Sequence, residues 1–495
     1  MPTTTTSSSW QPIRIDLFPF LHSSSSPLNT EAKQATVVAL RHACKTDGLF
    51  LLDYKGWIRE SRNAYPDAED VKRVDQRNIN SATSPYSIQR NNSSDVSTKP
   101  PVLDAISSFF ALPLEQKQAL PSVHSDGFSR GYIPLMGESG LKAQYCEWKE
   151  GFSLGYEEKD EEKVKDKGKE EGESCVASHS SIEKSKGEKQ QQPPQQPQRR
   201  SSNPLEGPNV WPSSPTALKA LRGGGRGGGE GWKEELMTFF RDLIILSEAL
   251  TRALSLALYQ EEEWLGGVCG KGGERISLLR AFHYFPSSSL PPSIPPSRAV
   301  GSSPHTDWGL FTIILEEGGG EDVEEGGLQI RRRRLQRQQE EEGGGEGMEE
   351  EFEWVGVRAA PGTLIVNCGD FLSLVSRRVL GGMEGRREGG MGDKEEEESG
   401  REGREGRAPF FQSPVHRVIL AKEQHRTSLV FFYYPSFDAV MQEGGREERR
   451  VGEPYNTLLQ VEEEDGGEKR GRERERRTAI FGEHIMRKWA GVKSS

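Results

Sequence analysis

The segment SPHTDWGLFTIIL, residues 303–315, places a histidine and an aspartate two positions apart, directly before an apolar run. Such a run, rich in β-branched residues, is typical of a buried strand. Side chains at positions i and i+2 of a strand project to the same face. If His305 and Asp307 open this strand, both face the sheet interior and can bind one metal ion. The same spacing recurs at His124 and Asp126, so spacing alone does not separate a metal site from a turn.

A third candidate ligand lies far downstream, in SPVHRVIL, where His416 precedes another apolar strand. In the next strand, RTSLVFFYY, Arg426 and Ser428 share a face, and a turn over AKEQH would join the two strands as an antiparallel hairpin. Two histidines and one carboxylate on one side of a metal form the facial triad of non-heme Fe(II) oxygenases. A buried arginine requires an anionic partner. The sequence therefore predicts a place for an organic acid beside a metal.

The composition indicates a chain in which folded segments alternate with solvated ones. The chain has 495 residues and a net charge of −11, with 33% hydrophobic and 28% charged residues. The negative balance argues against a general nucleic-acid binder, because phosphate affinity requires a cationic surface. The five cysteines form no C-x-x-C pair, which favours a reducing compartment over a disulfide framework or a cysteine zinc site.

No apolar run reaches the length of a membrane span, and the start lacks the basic and apolar regions of a secretory signal. We therefore predict a cytoplasmic protein. We expect a monomer whose partner is a small-molecule substrate, with neither nucleic acid nor membrane as a partner.

Several segments carry almost no large apolar residues and are predicted to be solvated insertions. They are residues 158–202, 318–350, 381–407, 441–450 and 461–477. The RRRR run at 331–334 lies beside many glutamates, so we interpret it as part of a mixed-charge loop and not as a polyanion site.

The remaining sequence is patterned as an α-rich half followed by a β-rich half. A strand is predicted at 13–20, a helix at 31–46, a strand at 48–56 and a second helix ending before 112. The strongest helix is 232–259, whose leucines form one stripe. From residue 276 the strands are ISLLRAFHYF, GLFTIIL, GGLQI, FEWVGVRA, GTLIVNCGD, HRVILA and RTSLVFFYYP. This order favours a β-sandwich or jelly roll with helices packed outside.

Taken together, these motifs resemble the Fe(II)/2-oxoglutarate-dependent dioxygenases, in the branch similar to isopenicillin N synthase. The resemblance covers nearly the whole chain apart from the insertions. Its C-terminal motifs are LLRAFHYFP, HTDWGLFTIIL with GGLQI, VNCGD, SPVHRV, RTSLVFFYYP and FGEHIMRKWAGV. Its N-terminal motifs are GLFLLDYKG, FFALPLEQK, GFSRGYIP, EWKEGFSLG and NPLEGPNVWP.

The resemblance implies an α+β fold with a double-stranded β-helix (jelly-roll) core, flanking helices and disordered low-complexity insertions. It implies that His305, Asp307 and His416 are the catalytic iron ligands. The implied divisions are an N-terminal segment of the fold at 10–157, a linker at 158–202, the long helix and catalytic core at 203–440, and a polar tail with a closing helix at 441–495. His124 and Asp126, in an apparent loop with no following strand, are then not expected to bind metal.

The resemblance further implies that Arg426 and Ser428 bind the distal carboxylate of 2-oxoglutarate, assisted by Tyr284. The cofactors would be Fe(II), 2-oxoglutarate as cosubstrate and O₂. The reaction would be oxidation, most often hydroxylation, of a small organic metabolite with release of succinate and CO₂. Phe282 departs from the family pattern, because many plant members carry an asparagine there.

Three alternatives remain open at this stage. An oxidase of the same fold would use Fe(II) and O₂ without 2-oxoglutarate, a non-catalytic scaffold would use the barrel only for binding, and zinc would also fit the triad. Among the other polar residues, we expect His283 to be a core or interface residue and His425 a turn residue. Asn367 is a candidate for facing the substrate, whereas Tyr132 and Phe152 are expected to pack in the core.

Overall fold

The computed structural model describes fifteen stretches of the chain. They are residues 10–20, 27–53, 100–120, 123–125, 128–137, 144–155, 208–223, 226–227, 229–270, 275–317, 326–333, 352–360, 362–387, 410–442 and 478–494. The predicted linker at 158–202 lies outside the described residues, as do most of the predicted insertions.

Short strands account for most of the regular structure. They are β1 Ile13–Ile15, β2 Leu49–Asp53, β3 Val123–Ser125, β4 Phe128–Ile133, β5 Cys146–Glu147, β6 Lys149–Gly155, β7 Arg222–Gly223, β8 Arg226–Gly227, β9 Arg275–Tyr284, β10 Ala299–Val300, β11 Ser302–His305, β12 Phe311–Glu316, β13 Gly327–Arg333, β14 Phe352–Gly356, β15 Thr363–Cys368, β16 His416–Ile419, β17 Arg426–Ser436, β18 Val440–Gln442 and β19 Thr478–Ile480. The helices are α1 Pro27–Thr46, α2 Pro101–Phe110, α3 Leu114–Gln118, α4 Pro215–Ala220, α5 Gly229–Ala257, α6 Trp264–Val268, α7 Asp370–Arg387 and α8 Phe481–Ser494.

Two sheets enclose the interior of a jelly roll. The large sheet has nine strands in the order β1-β2-β15-β12-β17-β9-β6-β4-β3, and the small sheet has four in the order β11-β16-β13-β14. A cluster of buried apolar side chains from both sheets fills the space between them, with Leu51 and Ile314 from the large sheet and Leu328 and Val418 from the small one. The predicted α+β jelly-roll class is confirmed.

The helices cover the outer face of the large sheet. The stripe of α5 that includes Leu236, Leu243 and Leu250 is buried in a second apolar cluster, which also contains residues of α1 and α2. The ring of Phe240 in α5 lies 5.5 Å from that of Phe431 in β17, so the helix packs directly on the sheet. The helix predicted at 232–259 is therefore present. None of the helices in the described stretches has the length and apolarity to cross a bilayer.

Two expected strand relationships are wrong. His305 ends β11 in the small sheet, and Asp307 lies in the connection to β12 of the large sheet, so the pair does not open the strand GLFTIIL. Likewise β16, which begins at His416, and β17, which begins at Arg426, belong to different sheets and form no hairpin. In both cases the chain crosses between the sheets, which an apolar pattern does not reveal because both sheets bury one face against the same interior.

Two segments predicted to be loops contain strands. His124 lies on β3, which pairs with β4, so a strand does follow it; Asp126 lies outside the described residues. The first three arginines of the RRRR run belong to β13 and pair with β14. The guanidinium of Arg332 lies 2.7 Å from the carboxylate of Asp47 and 4.5 Å from the centre of the Trp10 ring. These partners allow a strongly basic strand to stay in the sheet.

Replacing Leu250 by alanine should lower the free energy of unfolding by about 2–5 kcal/mol, because truncating a fully buried leucine leaves a cavity. Leu250 has an exposed fraction of 0%, whereas that of Leu374 in α7 is 44%. The matched substitution Leu374→Ala should therefore stay within about 0.5 kcal/mol of the wild type. Urea unfolding followed by tryptophan fluorescence measures both, and equal effects would contradict the packing of α5 described above.

Candidate active site

The three predicted metal-binding side chains converge at one point. His305 and His416 are direct partners in the antiparallel pairing of β11 with β16, and their ring centres lie 4.2 Å apart. One Asp307 carboxylate oxygen, Oδ1, is 3.8 Å from Nε2 of His305 and 3.7 Å from Nε2 of His416. One ligand atom from each residue lies within 4.8 Å of the other two. This group has the composition and spacing of a metal-binding site.

Both imidazoles are oriented by the chain immediately before them. Nδ1 of His305 donates to the carbonyl of Ser303 at 2.7 Å, and Nδ1 of His416 donates to the carbonyl of Pro414 at 3.0 Å. A carbonyl can only accept, so Nδ1 of each ring carries a proton, and in the neutral form of the ring the lone pair is on Nε2. The lone pairs therefore belong to the two nitrogens beside Asp307. This is the arrangement in which histidine ligates metals.

The electrostatics of the group also suit a cation. The side chain of Asp307 is 4% exposed, and its second oxygen, Oδ2, has no hydrogen-bond partner among the described residues. An unpartnered buried carboxylate oxygen costs free energy, which a bound cation would offset. Loss of hydration, followed by repulsion from His416, lowers the pKa of His305 to about 4, so the ring is neutral near pH 7. The side chain of His305 is still 40% exposed, which leaves the site open to solvent.

Asp370, at the start of α7, ties the ligand-bearing segments together. Its backbone N–H donates to the carbonyl of Asp307 at 2.7 Å. Its carboxylate accepts the hydroxyls of Thr306 at 3.1 Å and Ser413 at 2.7 Å. Thr306 separates two of the candidate ligands, and Ser413 lies three residues before the third. Sequence reasoning missed this role, although Asp370 ends the VNCGD motif on which the family resemblance partly rests.

A second polar group lies deeper between the sheets. In the pairing of β17 with β9, Arg426 is opposite Tyr284 and Ser428 is opposite Phe282. The hydroxyl groups of Tyr284 and Ser428 are 3.1 Å apart. The three residues predicted to bind a distal carboxylate are therefore neighbours in the structure.

The guanidinium of Arg426 is only partly paired. Nη2 donates to the Glu316 carboxylate at 3.2 Å, whereas Nη1 is buried with no hydrogen-bond partner among the described residues. Burial raises the pKa of Glu316 against the opposing effect of Arg426. A Cβ on Gly327 would lie 3.1 Å from Nη1, and its φ of +116° is one that L side chains rarely adopt. The glycine therefore leaves room beside the unpaired nitrogen.

His283, expected to be a core or interface residue, has its hydrogen-bond partners away from the metal-binding group. Nδ1 of His283 lies 2.9 Å from the Glu150 carboxylate, and Nε2 lies 2.9 Å from Nδ1 of His425. The same carboxylate accepts Lys117 at 2.8 Å and the Tyr132 hydroxyl at 2.7 Å. His283 is thus a satisfied residue of the outer face of the large sheet.

Of the remaining candidates, Phe152 packs in the apolar core that the helices cover, and Asn367 faces the space between the two sheets. Phe152 packs in an aromatic cluster, with its ring 4.8 Å from that of Phe109, so its predicted core role is confirmed. Asn367 is fully buried on β15 opposite Thr312 and Leu49, and neither atom of its amide has a hydrogen-bond partner among the described residues. Leu49 belongs to the cluster between the sheets, which places Asn367 on the interior face.

A jelly roll that gathers two histidines and one carboxylate between its sheets has the architecture of the non-heme Fe(II) oxygenases. The comparisons agree with this class. Residues 275–435 match the model of the 2OG-Fe(II) oxygenase superfamily, and residues 92–175 match the N-terminal model of the non-haem dioxygenase in morphine synthesis. Residues 275–435 therefore belong to the 2OG-Fe(II) oxygenase superfamily, the class of the Fe(II)/2-oxoglutarate-dependent dioxygenases.

Curated relatives are distant. Homoarginine-6-hydroxylase 2-ODD-C23.1 of Arabidopsis thaliana is 25% identical over 284 residues, which are 57% of this chain and 60% of the relative. The 2-oxoglutarate-Fe(II) type oxidoreductase hxnY of Emericella nidulans is 24% identical over 343 residues, 68% of this chain and 67% of the relative. The chain spans between 45% and 60% of the length of four homoarginine-6-hydroxylases that it matches, from Arabidopsis, soybean and rice.

Among solved structures, the chain is similar to a full-length protein of Neurospora crassa that was determined in complex with alpha-KG and thymine. The identity is 16%, the TM-score is 0.50, and the match covers 97% of each chain. At this level of identity the similarity supports the fold.

In the metal-free protein, the imidazole of His305 should titrate with a pKa of about 4, below its ordinary value of 6.5. The neutral ring then contributes stability that is complete above pH 6.5 and is lost as the pH falls toward 4. Side-chain ¹H–¹⁵N NMR across this range measures the titration, with His305→Gln used to assign the signal. A pKa at or above the ordinary value would contradict the combined effect of partial burial and of repulsion from His416 on the ring.

Proposed function

We propose that this protein is a non-heme Fe(II), 2-oxoglutarate-dependent dioxygenase that oxidises, most often by hydroxylation, a small organic metabolite. The observation that carries the proposal is the pairing of two sites between the same sheets. One is the group of His305, Asp307 and His416, and the other is the buried, half-paired guanidinium of Arg426. The first group has the donors that a metal ion requires, and the second has the cation that a diacid cosubstrate requires.

The residues of the first site fit a divalent metal. Two imidazole nitrogens and one carboxylate would hold Fe(II) on one side, and the unpartnered Oδ2 of Asp307 supports this fit. Bound iron supplies the capacity to activate O₂ for oxidation of an otherwise unreactive C–H bond. The protein contributes the orientation of both rings through the carbonyls of Ser303 and Pro414.

The second site fits the distal carboxylate of 2-oxoglutarate. Arg426 would donate from Nη1, and the neighbouring hydroxyls of Ser428 and Tyr284 would complete the contact. Glu316 holds the other side of the guanidinium and so fixes its plane. In the net reaction, one atom of O₂ enters succinate and the other enters the substrate, with release of CO₂. Phe282 and Val418 belong to the buried apolar cluster between the sheets.

The proposed substrate class rests on the relatives. Several of the relatives are named as homoarginine-6-hydroxylases, and the Neurospora crassa structure contains thymine; homoarginine and thymine are both small nitrogen-containing metabolites. We propose a substrate of this size, handled by a monomer that needs neither nucleic acid nor membrane, and a place in the isopenicillin N synthase-like branch. We also propose a cytoplasmic location, supported by Cys44, Cys146, Cys269 and Cys368, which are not joined by disulfides within the described part of the chain.

Purified protein supplied with Fe(II) and air should convert 2-oxoglutarate to succinate, slowly in the absence of the substrate. His305→Ala should abolish stoichiometric iron binding and turnover, because it removes one of three donors. His124→Ala is the control, since His124 lies on β3 at the edge of the large sheet. Succinate formation and metal content measure the outcome. Oxygen uptake that is independent of 2-oxoglutarate would instead indicate an oxidase, and absence of both iron and succinate would contradict the proposal.

Arg426→Ala should weaken 2-oxoglutarate binding by about 10- to 100-fold, the value of losing a hydrogen bond to a charged group. Metal binding should be retained. The matched control is Arg417→Ala in β16, because Arg417 binds Gln329 and lies over the Trp354 ring at 4.1 Å. Anaerobic titration of the Fe(II)-loaded protein with 2-oxoglutarate gives the dissociation constants. An unchanged constant for Arg426→Ala would place the cosubstrate elsewhere.

A further inference from the structure

Glu147 and Lys149 form a buried ion pair beside the candidate active site. The ammonium of Lys149 lies 2.8 Å from Oε2 of Glu147. The side chain of Lys149 is 9% exposed and that of Glu147 is 5% exposed. The desolvation cost of such a pair offsets much of its attraction, so stability alone is a weak reason for its presence. Its position suggests another role.

The carboxylate of Glu147 reaches the metal-binding group through Ser303. Its Oε1 accepts the Ser303 backbone N–H at 2.8 Å and the Ser303 hydroxyl at 2.6 Å. The carbonyl of the same serine accepts the Nδ1 proton of His305 at 2.7 Å. Glu147 therefore fixes the residue whose carbonyl orients one candidate ligand. The order of contacts is Lys149, Glu147, Ser303 and His305.

The other end of the pair borders the candidate cosubstrate pocket. Lys149 is opposite Tyr284 in the pairing of β6 with β9, and its ammonium lies 4.5 Å from the centre of the Phe282 ring. Burial raises the pKa of Tyr284, and the positive charge of Lys149 is the strongest opposing influence. One ion pair thus spans the distance from the pocket of Arg426 to the metal-binding group.

We propose that Glu147 is a positioning residue for His305, held in place by Lys149, and that it sets the tautomer and direction of the imidazole that binds the metal. This inference rests on the metal site of the proposed function. Three donors converge on the Glu147 carboxylate: the Ser303 N–H, the Ser303 hydroxyl and the Lys149 ammonium. An amide in its place would direct an NH₂ group at one of these donors, so Glu147→Gln disrupts the chain of contacts while keeping the shape of the side chain.

The experiment compares Glu147→Gln with Glu150→Gln in the full-length protein. Glu150 is also a buried carboxylate of the same segment with a lysine partner, but it faces Lys117, Tyr132 and His283 on the other side of the sheet. Titration with Co(II) followed by visible absorption should show affinity about 10- to 100-fold weaker in Glu147→Gln, the usual effect of losing an outer-shell contact. Glu150→Gln should keep the wild-type affinity, and Ser303→Ala, which loses only the hydroxyl contact, should fall between them.

A second measurement does not depend on metal. In the metal-free protein, ¹⁵N NMR should show the proton of His305 on Nδ1 in the wild type and in Glu150→Gln, and a mixture of tautomers in Glu147→Gln. Equal metal affinity and an unchanged tautomer in Glu147→Gln would overturn the inference. A wild-type protein that binds no Co(II) or Fe(II), but shows the expected change of tautomer, would overturn the proposed function and leave the positioning role of Glu147 supported.

Discussion

The pairing of β11 with β16 is the constraint on which the candidate site depends. It sets His305 directly opposite His416, and Asp307 then completes the group from the first residues of the connection that leaves the sheet. A slip of one residue in either strand would turn one imidazole to the opposite face. Backbone hydrogen bonding therefore determines whether the three donor atoms meet, and the hydrogen bonds of Asp370 secure the chain on both sides of the pairing.

Charge is distributed unevenly between the two sheets. Asp307 lies at the metal-binding group, whereas Arg426 and Glu316 lie at the deeper end of the strands, where the guanidinium keeps one unpaired nitrogen among the described residues. Lys149 and Glu147 connect these regions. Each end of the interior thus presents one unpartnered atom among the described residues, Oδ2 of Asp307 at one end and Nη1 of Arg426 at the other. This polarity matches a small diacid bound at one end by its carboxylate and at the other by a metal.

Much of the fold and of the site could be predicted from local patterns. The leucine stripe of α5 and the apolar strands have distinct periods, and His305, Asp307, His416 and Arg426 stand beside the strands that carry them. The assignment of each strand to a sheet could not be predicted, because the strands of both sheets bury one face in the same interior and have similar patterns. For this reason two predictions were wrong: the hairpin from β16 to β17, and the strand GLFTIIL opening at His305.

The contacts of the polar residues that support the site could not be predicted from local sequence patterns either. Glu147 and Ser303 are 156 positions apart, and their contact exists only because β5 pairs with β10 just before β11. No short pattern around either residue signals a partner at that distance. The pairing of Glu316 with Arg426 could not be predicted either. Glu316 comes close to Arg426 only because the strand register sets it opposite Ser428.

The direct partners His305 in β11 and His416 in β16 lie 111 positions apart in the chain. The conformational entropy lost on closing a loop grows only with the logarithm of its length, and each doubling costs about 0.6 kcal/mol more. Evolution can therefore lengthen the chain between these strands at little thermodynamic expense. The kinetic consequence is larger, because contacts between distant positions form slowly. During synthesis, a nascent chain would lack the third donor of this group until the polypeptide had been extended to His416.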